Sequence, residues 1–286
     1  MPAPLEHRED DASQPLHLQR LMPAAEDSTV DEVLEGLGLW ETGQAQAGRP
    51  KVLLNMVSTA DGRATIDGRS GALGGPADRA LFHGLRSAVD GVLVGAGTVR
   101  LERYGRIVKD EHERSLRRER GLEEEPLACI VSGRMALDED VPLLQEPAAR
   151  VVMLTASQAS LPPCAASVDY VRSTGGRLDL PAAVTELSER FGVRNLLCEG
   201  GPHLARELLA EGLVDELFLS LSPLLAGGEP VGGEALRILA GAELDPPAQL
   251  ELLGVLGYDS CLFLRYGVSA GARVSRETTD SSSLAS

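Results

Sequence analysis

Positive charge is what this chain has little of: 27 Lys and Arg stand against 43 Asp and Glu, a formal net charge of −16. No excess cation is available to displace counterions from a phosphate backbone, so general nucleic-acid binding is not expected. Aromatic residues are also scarce, and no run approaches the roughly 18 apolar residues of a membrane span. The start, Met1 to Leu21, is acidic and polar rather than basic then apolar, so it does not read as a secretory signal. The expectation is a soluble, cytoplasmic protein that binds no membrane. The four cysteines, Cys129, Cys164, Cys198 and Cys261, lie far apart, and no pair has the spacing of a zinc site. Three fall in apolar strand-like runs and read as small buried hydrophobes. Histidines are few and scattered. There is no Walker loop, no Gly-x-Ser-x-Gly elbow and no His-Glu-x-x-His. Metal and triad chemistry are therefore set aside, and no metal site is expected.

What is present is an alternation of strands and helices over 286 residues, enough to bury a substantial core. Strands are expected at Lys51–Val57, Gly91–Val94, Leu127–Val131, Arg150–Leu154, Ser167–Val171, Asn195–Cys198, Glu216–Leu221, Leu250–Gly254 and Cys261–Arg265. Helices are expected at Pro76–Ala88, Leu180–Phe191 and Pro202–Glu211. The alternation implies an α/β fold, a mostly parallel sheet covered on both faces. The last two strands follow each other directly, so the C-terminal edge should be antiparallel. Residues 1–48 read as an N-terminal extension, in which Ser28-Thr29 caps a short helix through Leu39. The densely charged stretch Arg103–Glu125 reads as an exposed loop or a solvated helix. Residues 268–286 read as a disordered polar tail. One domain, residues 49–267, lies between these ends.

Four segments carry chemical signal. Asn55 to Arg63 is a strand end followed by an Asp61-Gly62 turn. Asp67 to Pro76 is a glycine-bearing loop entering a helix, with Arg79, His83 and Arg86 on its polar face. Those arginines suit a phosphorylated substrate. Val92 to Arg100 is a strand entering Gly95-Ala96-Gly97-Thr98; it lacks the third glycine of a dinucleotide fingerprint but offers the Thr98 hydroxyl. Glu199-Gly200-Gly201-Pro202 follows the apolar strand Asn195–Cys198 and opens a helix. Its glycines let backbone amides approach a ligand, and the helix start suits a phosphate. His203 lies beside this turn.

Taken in order, these segments resemble the reductase domain of bacterial riboflavin biosynthesis, in the style of stand-alone actinobacterial pyrimidine reductases. The resemblance rests on Ser58 to Gly62, Ser70-Gly71, Leu85-Arg86, Gly95 to Val99, Glu199 to Leu204 and Ser222 to Gly228, and covers residues 50–266. It implies a dihydrofolate-reductase-like three-layer αβα sandwich. It also implies reduction of a ribosylamino-pyrimidine phosphate by NADPH, with hydride delivered to the ribose C1. By the same resemblance Ser70, Arg86 and Glu199 contact substrate, and Asp61 lies with Glu199 among the catalytic positions. Ala72, Thr98, Glu102, Ser132, Gly200, Gly201, Pro202, His203 and Leu204 would hold the cofactor, NADPH or NADP. Arg134, just after Ser132, is the candidate for the 2′-phosphate. The Gly200–Gly201 bond is expected to be cis, and the protein to form a homodimer. Where the family has an acidic pair, a proline and a downstream arginine, this chain has Leu101 to Arg106. Glu102 takes the first acidic place, and Arg106 or Lys109 the arginine's. Residues 1–48 are too short for the zinc deaminase domain of bifunctional members and lack its ligands, so no deaminase activity is expected. Two other readings stay open: a dihydrofolate or pterin reductase, and a non-catalytic NADP-binding protein.

Overall fold

Near-continuous apolar runs set the central strands, since successive side chains point to opposite faces and both faces are covered. In the computed structural model, which describes residues 28–41, 48–135, 137–138, 140–228 and 236–269, Leu196 and Cys198 face one side of the sheet and Leu197 the other. Nine strands form one sheet: β1 (Lys51–Thr59), β2 (Gly91–Gly95), β3 (Leu127–Val131), β4 (Arg150–Thr155), β5 (Ser167–Arg172), β6 (Asn195–Cys198), β7 (Glu216–Ser222), β8 (Gln249–Tyr258) and β9 (Cys261–Ser269). Their order is β5-β4-β3-β2-β6-β1-β7-β9-β8. Pairings among β1 to β7 are parallel, and β9 joins both β7 and β8 antiparallel, as expected. The β8–β9 hairpin is longer than the sequence suggested. It turns on Asp259 and Ser260, both at positive φ, the backbone a tight two-residue hairpin loop requires.

The helices are α1 (Val30–Leu37), α2 (Pro76–Ala88), α3 (Ala96–Leu101), α4 (Glu111–Glu119), α5 (Leu180–Phe191) and α6 (Pro202–Ala210). One apolar cluster joins α1, α2 and α3 to one face of the sheet, and a second joins α5 and α6 to the other, which makes three layers. None of the described helices is long and apolar enough to cross a membrane. Strand order reverses around β6, which returns to lie between β2 and β1. The C-terminal ends of these three strands are thus the crevice where ligands lodge in open α/β sheets.

Three expectations need correction. The charged stretch after residue 103 is not wholly solvated: Arg114 and Arg117 of α4 are buried, Arg117 completely, because their guanidinium groups bond to backbone carbonyls. The glycine-flanked turn after β2 is the start of α3. The polar tail begins later than residue 268, because β9 runs to Ser269; residues 270–286 lie outside the described residues.

The capped helix at Thr29 is present, with a reciprocal Thr29–Glu32 capping box and Gly38 left-handed at its end. It packs into the domain: a Cβ at Gly84 of α2 would lie 2.6 Å from Leu34 Cδ1 and 3.0 Å from Val30 Cγ1. Gly84→Val is expected to overpack this contact and lower stability by about 1–3 kcal/mol, read as a shift of the urea midpoint.

Candidate active site

The crevice is a cavity of about 370 Å³ lined by residues from all four sequence segments. Asn55, Met56 and Val57 come from β1, Ser70 and Gly71 from the loop before α2, and Arg79, Phe82, His83 and Arg86 from α2. Thr98 and Leu101 come from α3, Glu102, Tyr104, Arg106 and Lys109 from the chain beyond it, and Glu199, Gly201 and Pro202 from the β6–α6 turn.

Its centre is a buried ion pair. Arg86 Nε and Nη2 each donate to one oxygen of Glu199, both at 2.6 Å, and the Tyr104 hydroxyl donates to Glu199 Oε2 at 2.5 Å. The Glu199 side chain is 2% exposed, so both its oxygens spend their bonding capacity inside the protein rather than on water. The bidentate fork is the strong, orienting form of this interaction. The Arg86 guanidinium also lies over the Phe82 ring, 4.2 Å from its centroid. Burial alone would push the Arg86 pKa down, but the Glu199 carboxylate outweighs it and the guanidinium stays charged. Burial, then the Glu199 charge, pushes the Tyr104 hydroxyl well above the usual tyrosine range, so it is a neutral donor. Burial, with Arg86 and Lys109 nearby, holds His83 below the ordinary histidine range, so its imidazole is neutral at pH 7.

Arg86 was expected on a polar helix face, yet it is among the buried charges. The helical periodicity could not reveal that β6 ends beside the last turn of α2. Glu102 accepts from Ser70 N at 3.3 Å and Ser70 Oγ at 3.1 Å, which ties the first loop to the end of α3. Of the two candidates for the downstream cation, Arg106 is bound to Glu124 and Glu125. Lys109 is exposed and has no ion pair with the described residues.

The two glycine turns abut. Gly95 N donates to Gly200 O at 2.9 Å, and a Cβ on Gly201 would lie 3.0 Å from Thr98 Oγ1. Gly95 and Gly201 are the N-caps of α3 and α6, and neither helix start has a side-chain cap among the described residues. Two helix N-termini with uncommitted first-turn N–H groups thus converge at one edge of the cavity, an arrangement that fits a pyrophosphate. The Gly200–Gly201 peptide is cis, as the resemblance implied. Pro202 lines the cavity beside it. His203 is exposed, while the Leu204 side chain is buried in the core, which leaves only its backbone facing the turn.

Seven expected residues lie outside this lining: Gly200, His203 and Leu204 of the turn itself, and Ala72, Ser132, Arg134 and Asp61. Ser132 is buried just after β3, its N–H donating to Leu154 O; Arg134 and Ala72 are exposed. Asp61 holds a loop instead: it accepts from Thr59 Oγ1, from Ala226 N and from Gly227 N at 2.6 Å. The Thr59 hydroxyl first, then those amides, hold its pKa at about 2. A carboxyl whose folded pKa is lowered stabilises above its unfolded value and loses that contribution as pH falls towards the folded one. Amide exchange at Ala226 and Gly227 is therefore expected to accelerate as pH drops from about 4 towards 2, relative to the intrinsic rate. Asp61→Asn should show that acceleration already at pH 7.

Tyr104 was missed. It is a lone aromatic in an otherwise charged run, and nothing in its spacing marks it. Cys129 and Cys198 are buried as expected, burial pushing the Cys198 thiol up to about 12; Cys164 and Cys261 are only half-buried. Among the described residues no three His, Cys, Asp or Glu side chains form a group that could hold a metal ion.

Comparison with known proteins gives a consistent picture. The family described as RibD C-terminal domain matches residues 50–259. The chain is 28% identical over 183 residues to a 2,5-diamino-6-ribosylamino-4(3H)-pyrimidinone 5′-phosphate reductase of Archaeoglobus fulgidus, covering 63% of this chain and 83% of that protein. It is 30% identical over 187 residues to riboflavin biosynthesis protein RibD of Mycobacterium tuberculosis (strain H37Rv), covering 64% of this chain but only 45% of that protein. Among solved structures, a pyrimidine reductase-like protein from Corynebacterium diphtheriae superposes with a TM-score of 0.66 at 21% identity, over 85% of this chain and 99% of the other. The riboflavin biosynthesis reductase Rib7 of Saccharomyces cerevisiae gives 0.59 at 21% identity, over 84% and 97%. These likenesses show the dihydrofolate-reductase-like fold.

Proposed function

Because this chain belongs to the RibD C-terminal domain family, we propose that it is an NADPH-dependent reductase of a ribosylamino-pyrimidine phosphate. The observation that carries this reading is the convergence of the uncapped starts of α3 and α6 beside the buried Arg86–Glu199–Tyr104 cluster in one cavity. The first is an anion cradle and the second a rigid polar wall for a substrate. When bound, the reduced nicotinamide supplies the hydride that goes to the ribose C1.

The chain's own residues bind and orient. Backbone N–H groups of the Gly201–Leu204 turn and of the α3 start would hold the pyrophosphate, with the Thr98 hydroxyl between them. Ser132 and Arg134 would meet the adenosine end, where a guanidinium favours the 2′-phosphate of NADPH. Ser70, oriented by Glu102, and the Arg86–Glu199 pair would position the substrate. Arg79 and Lys109, at the lining, would take the substrate phosphate. Asp61 would act at one remove, through the loop it holds. A cytoplasmic setting and a homodimer accompany this reading. The exposed Leu250, Leu252, Leu253, Leu256 and Tyr258 of β8 favour the second, because such a row on a sheet edge invites a partner.

Steady-state turnover of NADPH with the ribosylamino-pyrimidine phosphate and with dihydrofolate is the test. Turnover of the first is expected. Turnover of dihydrofolate alone, or NADPH binding without oxidation of it by either compound, would overturn the reading. Lys109→Ala should raise KM for the phosphorylated substrate by about 10–100-fold, the worth of one charge-assisted bond, with little change in kcat.

A further inference from the structure

Arg117 is the most buried charged residue among the described residues, at 0% exposure, and it lies outside the cavity. Its four hydrogen bonds to the described residues all go to backbone carbonyls. Nε donates to Glu123 O at 2.9 Å, and Nη1 to Arg86 O at 3.2 Å, Ser87 O at 3.0 Å and Val89 O at 2.8 Å. The last three belong to the C-terminal end of α2, where no later helical N–H can reach them. Ser87 and Val89 are themselves 0% exposed, so water cannot serve these carbonyls from outside.

A guanidinium kept in such a place is costly. Among the described residues none of its bonds goes to a carboxylate, Nη2 has no hydrogen-bond partner, and burial pulls its pKa down to about 10. A buried cation without a paired anion disfavours folding, and an apolar side chain of similar volume would fill the space at less cost. What an apolar side chain cannot do is hold three carbonyls of one helix turn. One of them is the carbonyl of Arg86, whose side chain then runs to Glu199 at the far end of β6. The fork between Arg86 and Glu199 needs both N–H vectors aligned, so the rotation of that last turn decides whether it forms.

We propose that Arg117 is a positioning residue for the reaction: it locks the last turn of α2 so that Arg86 and Glu199 meet in the geometry the substrate requires. This rests on the assignment of Arg86 and Glu199 to the substrate side of the cavity. The test compares Arg117→Met, Arg117→Lys and Leu187→Ala. The last removes a fully buried side chain on α5, remote from the site, as a control for lost stability. The readouts are the Arg86 Nε–H resonance, identified by its loss in Arg86→Lys, and kcat/KM beside NADPH affinity. In Arg117→Met the resonance is expected to move and kcat/KM to fall by about 10–100-fold with NADPH affinity unchanged. Arg117→Lys should recover part of both, since its ammonium reaches some of the carbonyls but cannot fork. Leu187→Ala should show neither change at comparable loss of thermal stability. An unmoved resonance in both Arg117 variants, or an equal movement in the control, overturns the proposal. Should Arg117→Met not fold, the resonance in Arg117→Lys decides: displaced, it supports the assignment; in place, it overturns it. Failure of the functional reading looks different, because the unaltered protein would then turn over no substrate while the resonance still reports on Arg117.

Discussion

Replacing Glu199 with leucine is expected to lower folding stability by about 3–5 kcal/mol, because it strands the Arg86 guanidinium in the protein interior without its counter-charge. Arg86 is 7% exposed and both its donors on that side point at Glu199, so its charge is compensated mainly by that carboxylate. The Tyr104 hydroxyl would lose its acceptor at the same time. For a chain of this size the loss corresponds to a fall in Tm of about 6–20 °C, measurable by calorimetry. Arg86→Met combined with Glu199→Leu should recover most of the stability, since two well-packed apolar groups replace a desolvated pair. It should not recover activity. That separation of stability from turnover is the signature of a charge pair kept for chemistry. A single variant within about 1 kcal/mol of the parent would show that the pair is solvated in solution and would remove its claim to organise the site.

Gly201→Val should raise the Kd for NADPH by about 100-fold or more, roughly 2.7 kcal/mol, while the protein stays folded. The two glycines of the turn are there for different reasons. Gly200 has φ +89, a conformation L side chains rarely adopt, so substitution there strains the backbone whatever the space. Gly201 has φ −68, which any residue accepts. Its constraint is steric: a Cβ would stand 3.0 Å from Thr98 Oγ1, and the added methyls would fill the cradle between α3 and α6. The variant thus separates ligand access from backbone strain, and isothermal titration with NADPH reads it directly. An affinity equal to the parent's would place the cofactor elsewhere.

Local signals were legible. Short apolar runs placed all nine strands, and Pro76 and Pro202 marked two helix starts, because these depend on neighbours in sequence. The Thr29–Glu32 capping box was readable for the same reason. The order of the four glycine- and charge-bearing segments was enough to suggest a family, since their spacing encodes which strand ends carry them. Arg117 and Tyr104 were not legible. A charged run such as 103–125 looks solvated unless one knows that the end of α2 lies beside it with its carbonyls unserved.

The sequence by itself therefore determined the nine strands, helices α1, α2, α5 and α6 and the antiparallel edge, and it marked Glu199-Gly200-Gly201-Pro202 as a strand-to-helix turn. Only the tertiary structure decided which charges meet. It seated Glu199 on Arg86, assigned Asp61 to a loop, and left Lys109 rather than Arg106 free of ion pairs among the described residues. The physical reason is range. Strand and helix signals act over a few residues, whereas the Arg86–Glu199 contact joins positions 113 residues apart and exists only because β6 returns between β2 and β1.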